Sequence, residues 1–299
     1  MSRPADSRKV LVSIDFSDIQ QVTLRPISSG LDDIATYLAD PQGNVIAETA
    51  TNSNTQPRVL AILQNENSPV EVTLQNAVIS DYSYENRVVA DSKRNLWRFS
   101  RQYLGTGYTV KAERLILARD LEGRPTLMPL ATLTQTVPGL NFRFDSKTWN
   151  ANYQGKELFA FTGLLAVTDA AAGSMQLLQD TTLQTGNMRQ TLAALDSVNG
   201  KVLSYLETYS NGNPAMVVYD VADAAGKASV VAPDSKAIYG AMRSLKGLTA
   251  GGFELETLDG PNFNIYTYDA VNSQGALTKT IRMDTDNRVR ILVPVTSIP

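Results

Sequence analysis

Short runs of alternating apolar and polar residues, each closed by a cluster of turn-forming residues, recur along most of this chain. A period of two sends successive side chains to opposite faces of a strand, so the pattern points to half-buried antiparallel strands joined by tight turns. Lys9–Phe16 is the first such run. Asp33–Thr51 reads as a hairpin around Asp40–Asn44, where Pro41 presets the turn and Gly43 accommodates a positive φ. Val59–Leu63 and Val70–Leu74 follow across a polar turn, and Tyr108–Asp120 and Pro125–Thr136 flank Leu121–Arg124. The expected fold is mainly β (α+β), with antiparallel sheets in a β-sandwich or barrel and a few short helices.

The same grammar returns late in the chain. Ala215–Val221 pairs with Ala228–Val231 and Asn264–Ala270 with Ala276–Met283, and Arg288–Val295 follows. Three hairpins carry a Tyr six or seven residues before a turn glycine: Tyr37/Gly43, Tyr219/Gly226 and Tyr268/Gly275. A remnant of duplication would give this spacing; so would repeated hairpin chemistry, since Tyr favours strands and Gly favours turns. Two helices are expected as well. Ser92 suits an N-cap, Leu96, Phe99 and Tyr103 follow at helical spacing, and Gly105 sits where a C′ glycine belongs. Asp234 caps the second, with Ile238, Met242 and Leu245 along one face and Gly247 at its end. Residues 187–198 lean to helix and 201–209 to strand, although Asn199-Gly200 is itself a hairpin signal.

Composition narrows the chemistry. The 299 residues contain no His and no Cys, which excludes disulfides, cysteine nucleophiles, imidazole bases and ordinary zinc or haem sites. Lys and Arg number 27 against 30 Asp and Glu, a net charge of −3 that does not suit a whole-chain nucleic-acid binder. The length divides into an N-terminal β-rich domain over 1–167 with one basic helix and a C-terminal α+β domain over 168–299, with a single domain as the alternative. The longest apolar run, Leu158–Val167, falls well short of the ~20 residues of a membrane span. The polar N-terminus carries no signal h-region, so the expectation is a chain made in the cytoplasm, with no secretion signal and no membrane partner.

The sequence contains neither a phosphate loop nor a Ser-x-x-Lys. Asp284-x-Asp286-Asn287 resembles the start of a calcium loop, but Arg288 stands at the third ligand position, so the expectation is no metal and no cofactor. Glu254 and Glu256 share one face of a strand whose other face is Phe253 and Leu255: a half-buried strand, or a catalytic carboxylate pair. Tyr82, Tyr84, Trp97 and Trp149 are candidates for a sugar platform or for core burial. Between Arg87 and Arg124 lie nine basic residues against four acidic ones. On the expected helix Arg94, Arg98 and Arg101 line one stripe beside Trp97. These four are interface candidates, the alternatives being a solvated basic face and a weak nucleic-acid contact.

The strand–turn–strand runs such as Ile34–Thr51 and Asn264–Met283, one well-capped helix and the absence of Cys and His resemble bacteriophage virion structural proteins of the tail-tube or capsid type. That resemblance implies a non-enzymatic subunit, located in the virion, whose partners are copies of itself and other virion proteins in a ring, tube or shell. The alternative reading is a polysaccharide-binding module or a carboxylate-based glycan-degrading enzyme on a particle surface.

Overall fold

The computed structural model describes residues 11–15, 23–28, 34–49, 59–63, 70–74, 86–103, 107–137, 142–144, 148–180, 188–208, 213–223, 226–232 and 234–282. They are mainly β: successive antiparallel meanders, none of which closes into a barrel. An N-terminal hairpin pairs β1 (Leu11–Asp15) with β2 (Thr23–Ser28). The first sheet runs in sequence order through β3 (Ile34–Ala39), β4 (Val45–Thr49), β5 (Val59–Ile62) and β6 (Val70–Glu71). The second contains β7 (Thr73–Leu74), β8 (Asn86–Ala90), β9 (Leu96–Tyr103), β10 (Tyr108–Arg119) and β11 (Pro125–Val137), ordered β7-β11-β10-β9-β8. Only the β7–β11 pair is parallel there. The third is β12 (Trp149–Tyr153), β13 (Lys156–Phe161), β14 (Leu164–Asp169) and β15 (Ser174–Leu178). The fourth is β16 (Met188–Asp196), β17 (Lys201–Thr208), β18 (Ala215–Asp220) and β19 (Lys227–Ala232). After the five-residue helix α1 (Ser235–Tyr239) comes the fifth: β20 (Ala241–Gly247), β21 (Phe253–Asp259), β22 (Asn262–Asp269) and β23 (Gln274–Arg282).

The chain divides into two compact units, Met1–Phe161 with Ala166–Leu177, and Thr162–Leu165 with Leu178–Pro299. In the first unit, Ile46 and Ala61 of the first sheet pack on Val88, Leu96, Leu115 and Leu127 of the second. On the opposite face of β9, Trp97 and Phe99 meet Phe144, Phe159 and Phe161 at centroid separations of 4.8–6.5 Å. In the second unit, Leu203, Tyr205 and Met216 of the fourth sheet pack against Tyr239, Phe253, Leu255 and Tyr268.

The expected helix over 92–105 is corrected: Leu96–Tyr103 is strand β9. Both faces of this strand are covered, so Leu96, Trp97, Arg98, Phe99, Ser100 and Arg101 are all buried and the two-residue alternation disappears. What remains is a spacing that mimics a helix. Ser92 is no N-cap but lies in the turn after β8, with its hydroxyl donating to Glu157 at 3.1 Å. Residues 188–196 are strand β16 rather than helix. Asp234 does cap α1, accepting from Ala237 N at 3.1 Å, but the helix stops at Gly240 (φ 87°), where a Cβ would come within 2.4 Å of the Leu258 carbonyl oxygen. Ala241–Gly247 then runs as a strand. Arg288–Val295, Tyr82, Tyr84 and the Asp284–Asp286 run lie outside the described residues. No described helix is long and apolar enough to cross a membrane.

Candidate ligand-binding site

Aspartate is the recurring turn residue of this fold. In the turn 40–44, Asp40 N donates to Asn44 O, Gly43 N donates back to Asp40 O, and Asn44 N donates to Asp40 Oδ1 at 2.8 Å. Turns 91–95 and 120–124 repeat all three bonds, with Arg94 (φ 67°) and Gly123 (φ 80°) in the place of Gly43. The carboxylate thus satisfies the N–H that a bulged hairpin leaves over.

One turn breaks the rule. Leu248–Gly252 has the same two backbone bonds, each 3.0 Å, and Gly251 holds φ at 93°. Leu248 stands where the aspartate should be. The left-over Gly252 N–H donates instead to Asp196 Oδ2, 2.7 Å away, in the turn of the fourth sheet. Asp196 is fully buried and also accepts from Val198 N at 3.0 Å, Asn199 N at 3.1 Å and Asn199 Nδ2 at 2.8 Å. Burial alone would raise its carboxyl pKa, but these four donors outweigh it and hold the group below its ordinary value.

The substitution leaves an apolar side chain at the edge of an open cleft of about 570 Å³ in the second unit. Asn199 comes from the fourth sheet; Leu248, Ala250, Gly251 and Gly252 from the deviant turn; Thr267 and Asp269 from β22, Val271 and Asn272 from the turn after it, and Gln274 from the start of β23. Asp269 repeats the Asp196 arrangement: its Oδ1 accepts from Val271 N at 2.8 Å, and Asn272 Nδ2 donates to Oδ2 at 2.7 Å. Those bonds, led by the Asn272 amide, lower the Asp269 pKa. Tyr268, buried beneath the cleft, has its phenol pushed up to about 12 by desolvation. Among the described residues the lining therefore offers three side-chain amides, the hydroxyls of Thr267 and Tyr268 and one carboxylate, with no cationic side chain.

The residues singled out in the sequence lie elsewhere. Trp97, Arg98 and Arg101 are buried in the first unit, and Arg94 is exposed in the 91–95 turn. Arg98 donates from Nε to Glu113 Oε2 at 2.6 Å, and Arg101 donates to the Phe142 carbonyl at 2.6 Å beneath two aromatic rings. The structure does not bring the four to one surface. Glu254 and Glu256 do share a strand face, with Phe253 and Leu255 fully buried on the other, and both carboxylates are held by Lys246, at 2.5 and 3.6 Å. Trp149 is half-buried in β12. The sequence marks Asn199 only as part of a hairpin turn and does not single out Leu248, Asp269 or Asn272; the signal was the repeated Asp-x-Val-Asn of residues 196–199 and 269–272.

No family model and no curated protein matches the chain. Solved structures similar to it include a 6-phosphogluconolactonase-like protein from Bacteroides uniformis, at 11% identity and a TM-score of 0.45 over 93% of this chain and 80% of that one. An α-L-arabinofuranosidase of Fusarium graminearum, in complex with an iminosugar inhibitor, is similar at 10% identity and a TM-score of 0.37, over 91% and 84% of the two chains. A luciferin-regenerating enzyme is similar at 10% identity and a TM-score of 0.34, over 84% and 76%. By name these are enzymes or enzyme-like, and none is a virion protein; the expectation of a non-enzymatic virion subunit is withdrawn. The physical ground for that expectation goes too, because the basic helix meant to dock neighbouring subunits is a strand buried on both faces.

Proposed function

We propose that the chain binds a neutral saccharide in the cleft between the turns 196–200, 248–252 and 269–275. The observation that carries this reading is the lining: Asn199, Asn272, Gln274 and Thr267 beside Leu248, Ala250 and Val271, with no Lys or Arg among the described residues that line it. A sugar presents hydroxyls that both donate and accept, which side-chain amides match, and C–H patches that small apolar side chains match. A phosphorylated or otherwise anionic ligand needs cations or helix termini, and meets the Asp269 carboxylate here instead. That carboxylate is engaged by its own turn, so its role is to hold the amide of Asn272 in place.

The test is calorimetric titration of the full chain with neutral oligosaccharides and with their phosphorylated or sulfated counterparts. Binding of a neutral sugar, weakened at least tenfold by Asn272→Ala, is expected. Tighter binding of the anionic forms, or binding of none, would overturn the proposal.

A further inference from the structure

The two turns that flank the deviant loop are chemical copies of each other. Asp196-Ser-Val-Asn199 and Asp269-Ala-Val-Asn272 place the same three residues at the same spacing. In each, the aspartate Oδ1 accepts from the Val N–H, at 3.0 and 2.8 Å, and from the Asn N–H, at 3.1 and 3.3 Å. In each, the Asn amide donates to Oδ2, at 2.8 and 2.7 Å. Both valines are pushed outward to the same 58% exposure. A single exposed valine needs no explanation. Two of them, each rigidly mounted beside an amide whose second N–H and carbonyl oxygen are not used by its turn, form a matched pair of small amphipathic platforms.

The loop 248–252 joins both turns at one cleft, which Asn199, Val271 and Asn272 line, while Val198 stands against Gly251 outside that lining. A Cβ on Gly251 would lie 2.9 Å from Asn199 Nδ2 and 3.5 Å from the Val198 Cβ, while a Cβ on Gly252 would lie 2.9 Å from the Tyr268 carbonyl oxygen. Consecutive glycines therefore sit against one turn on one side and against the strand leading into the other turn on the other side. Neither position tolerates a side chain without pushing the platforms apart.

We infer that the ligand is a linear polymer of repeating neutral sugar units, with two units taken by the two equivalent turns, the C–H face of each unit on a valine and its hydroxyls on the neighbouring amide. This rests on the saccharide reading above and adds repetition to it. A repeating site gains from a repeating ligand, because the second contact is intramolecular once the first is made.

The experiment is a ladder of cello-, malto- and chito-oligosaccharides from one to six units, titrated against the wild-type chain and against Val198→Ser and Val271→Ser. Both substitutions are at exposed positions, and thermal melts confirm that the variants fold. The expected result is an affinity that rises at least tenfold from one unit to three in one of the series and then levels, with each serine variant lowering the trisaccharide affinity at least fivefold. A monosaccharide that binds as tightly as the hexamer overturns the inference, as does a trisaccharide affinity that responds to only one of the two valines. Absence of binding throughout the ladder instead overturns the underlying saccharide reading.

Discussion

The backbone N–H of Gly252 donates to the buried carboxylate of Asp196 across 2.7 Å, tying a turn of the fifth sheet to a turn of the fourth. Elsewhere the same bulged turn carries its own aspartate, as at Asp40, Asp91 and Asp120. Here the group is supplied from the neighbouring sheet, and the vacated position is given to Leu248 at the cleft. The two elements are fitted closely along their length: a Cβ on Gly247 would lie 1.9 Å from the Leu195 carbonyl oxygen. A local rule broken at one turn and compensated from outside is what is expected where structure has been adapted to a site.

Asp196→Ala removes the acceptor for four N–H groups at once. Leaving buried donors unsatisfied costs about 1–3 kcal/mol each where water cannot replace the partner, so a loss of at least about 2 kcal/mol in urea unfolding is expected. Because the Gly252 bond positions the cleft wall, saccharide affinity should fall in parallel at temperatures where the variant remains folded. Unchanged stability would show that the bond across the sheets is incidental.

Strand existence was largely legible in the sequence, since β3, β4, β10, β11, β22 and β23 follow visible alternation bounded by turn residues. Strand β9 was not, because a strand buried on both faces keeps no alternation, and Arg98 reads as surface until Glu113 is placed opposite it. The 234–247 stretch combined a true cap with a false length: Asp234 starts a helix, and Gly240 ends it after five residues for want of space beside Leu258. The cleft was illegible for a different reason. Its residues are ordinary Asn, Thr, Leu and Gly, which carry no catalytic signature, and only their convergence from turns 196–200, 248–252 and 269–275 makes a site. The 247–252 glycines, which match no nucleotide-binding motif, are explained by close approach alone.

Acid should act on stability before it acts on binding. Asp120, Asp196 and Asp269 all have folded pKa values below the ordinary 3.8. A carboxyl depressed in the folded state contributes stability above its unfolded pKa, and that contribution is lost as pH falls through the folded value. The melting temperature is therefore expected to hold from neutrality to about pH 4 with respect to these groups and to drop below it. Saccharide binding should be flat between about pH 5 and 9, since the cleft's titratable groups are a depressed Asp269 and a Tyr268 raised to about 12. A midpoint within that range would show that another group takes part.

Backbone conformation separates three further substitutions. Gly123 and Gly240 both have positive φ, 80° and 87°, but a Cβ meets nothing within 4 Å at the first and Leu258 O at 2.4 Å at the second. Gly123→Ala should cost about 1–2 kcal/mol from the left-handed conformation alone, and Gly240→Ala distinctly more. Arg94 already pays that strain at φ 67° in a turn whose two counterparts use glycine. Arg94→Gly is expected to leave stability unchanged or raise it by up to about 1 kcal/mol. Melts of the three variants side by side provide the ranking.

Arg98 and Glu113 face each other on β9 and β10, bound at 2.6 Å through both Nε and Nη2, with side chains 2% and 9% exposed. Removing one partner of such a pair strands a charge in the core and costs about 3–5 kcal/mol, whereas replacing both with apolar residues of similar volume is often neutral. Arg98→Met and Glu113→Leu should therefore each lower the urea midpoint strongly, and the double variant should recover most of the loss. Arg98→Glu should be worse than either, because it sets two carboxylates face to face against Val88 and Leu96. An Arg98→Glu chain that folds with wild-type stability would mean that this strand is exposed and that the basic residues form a surface after all.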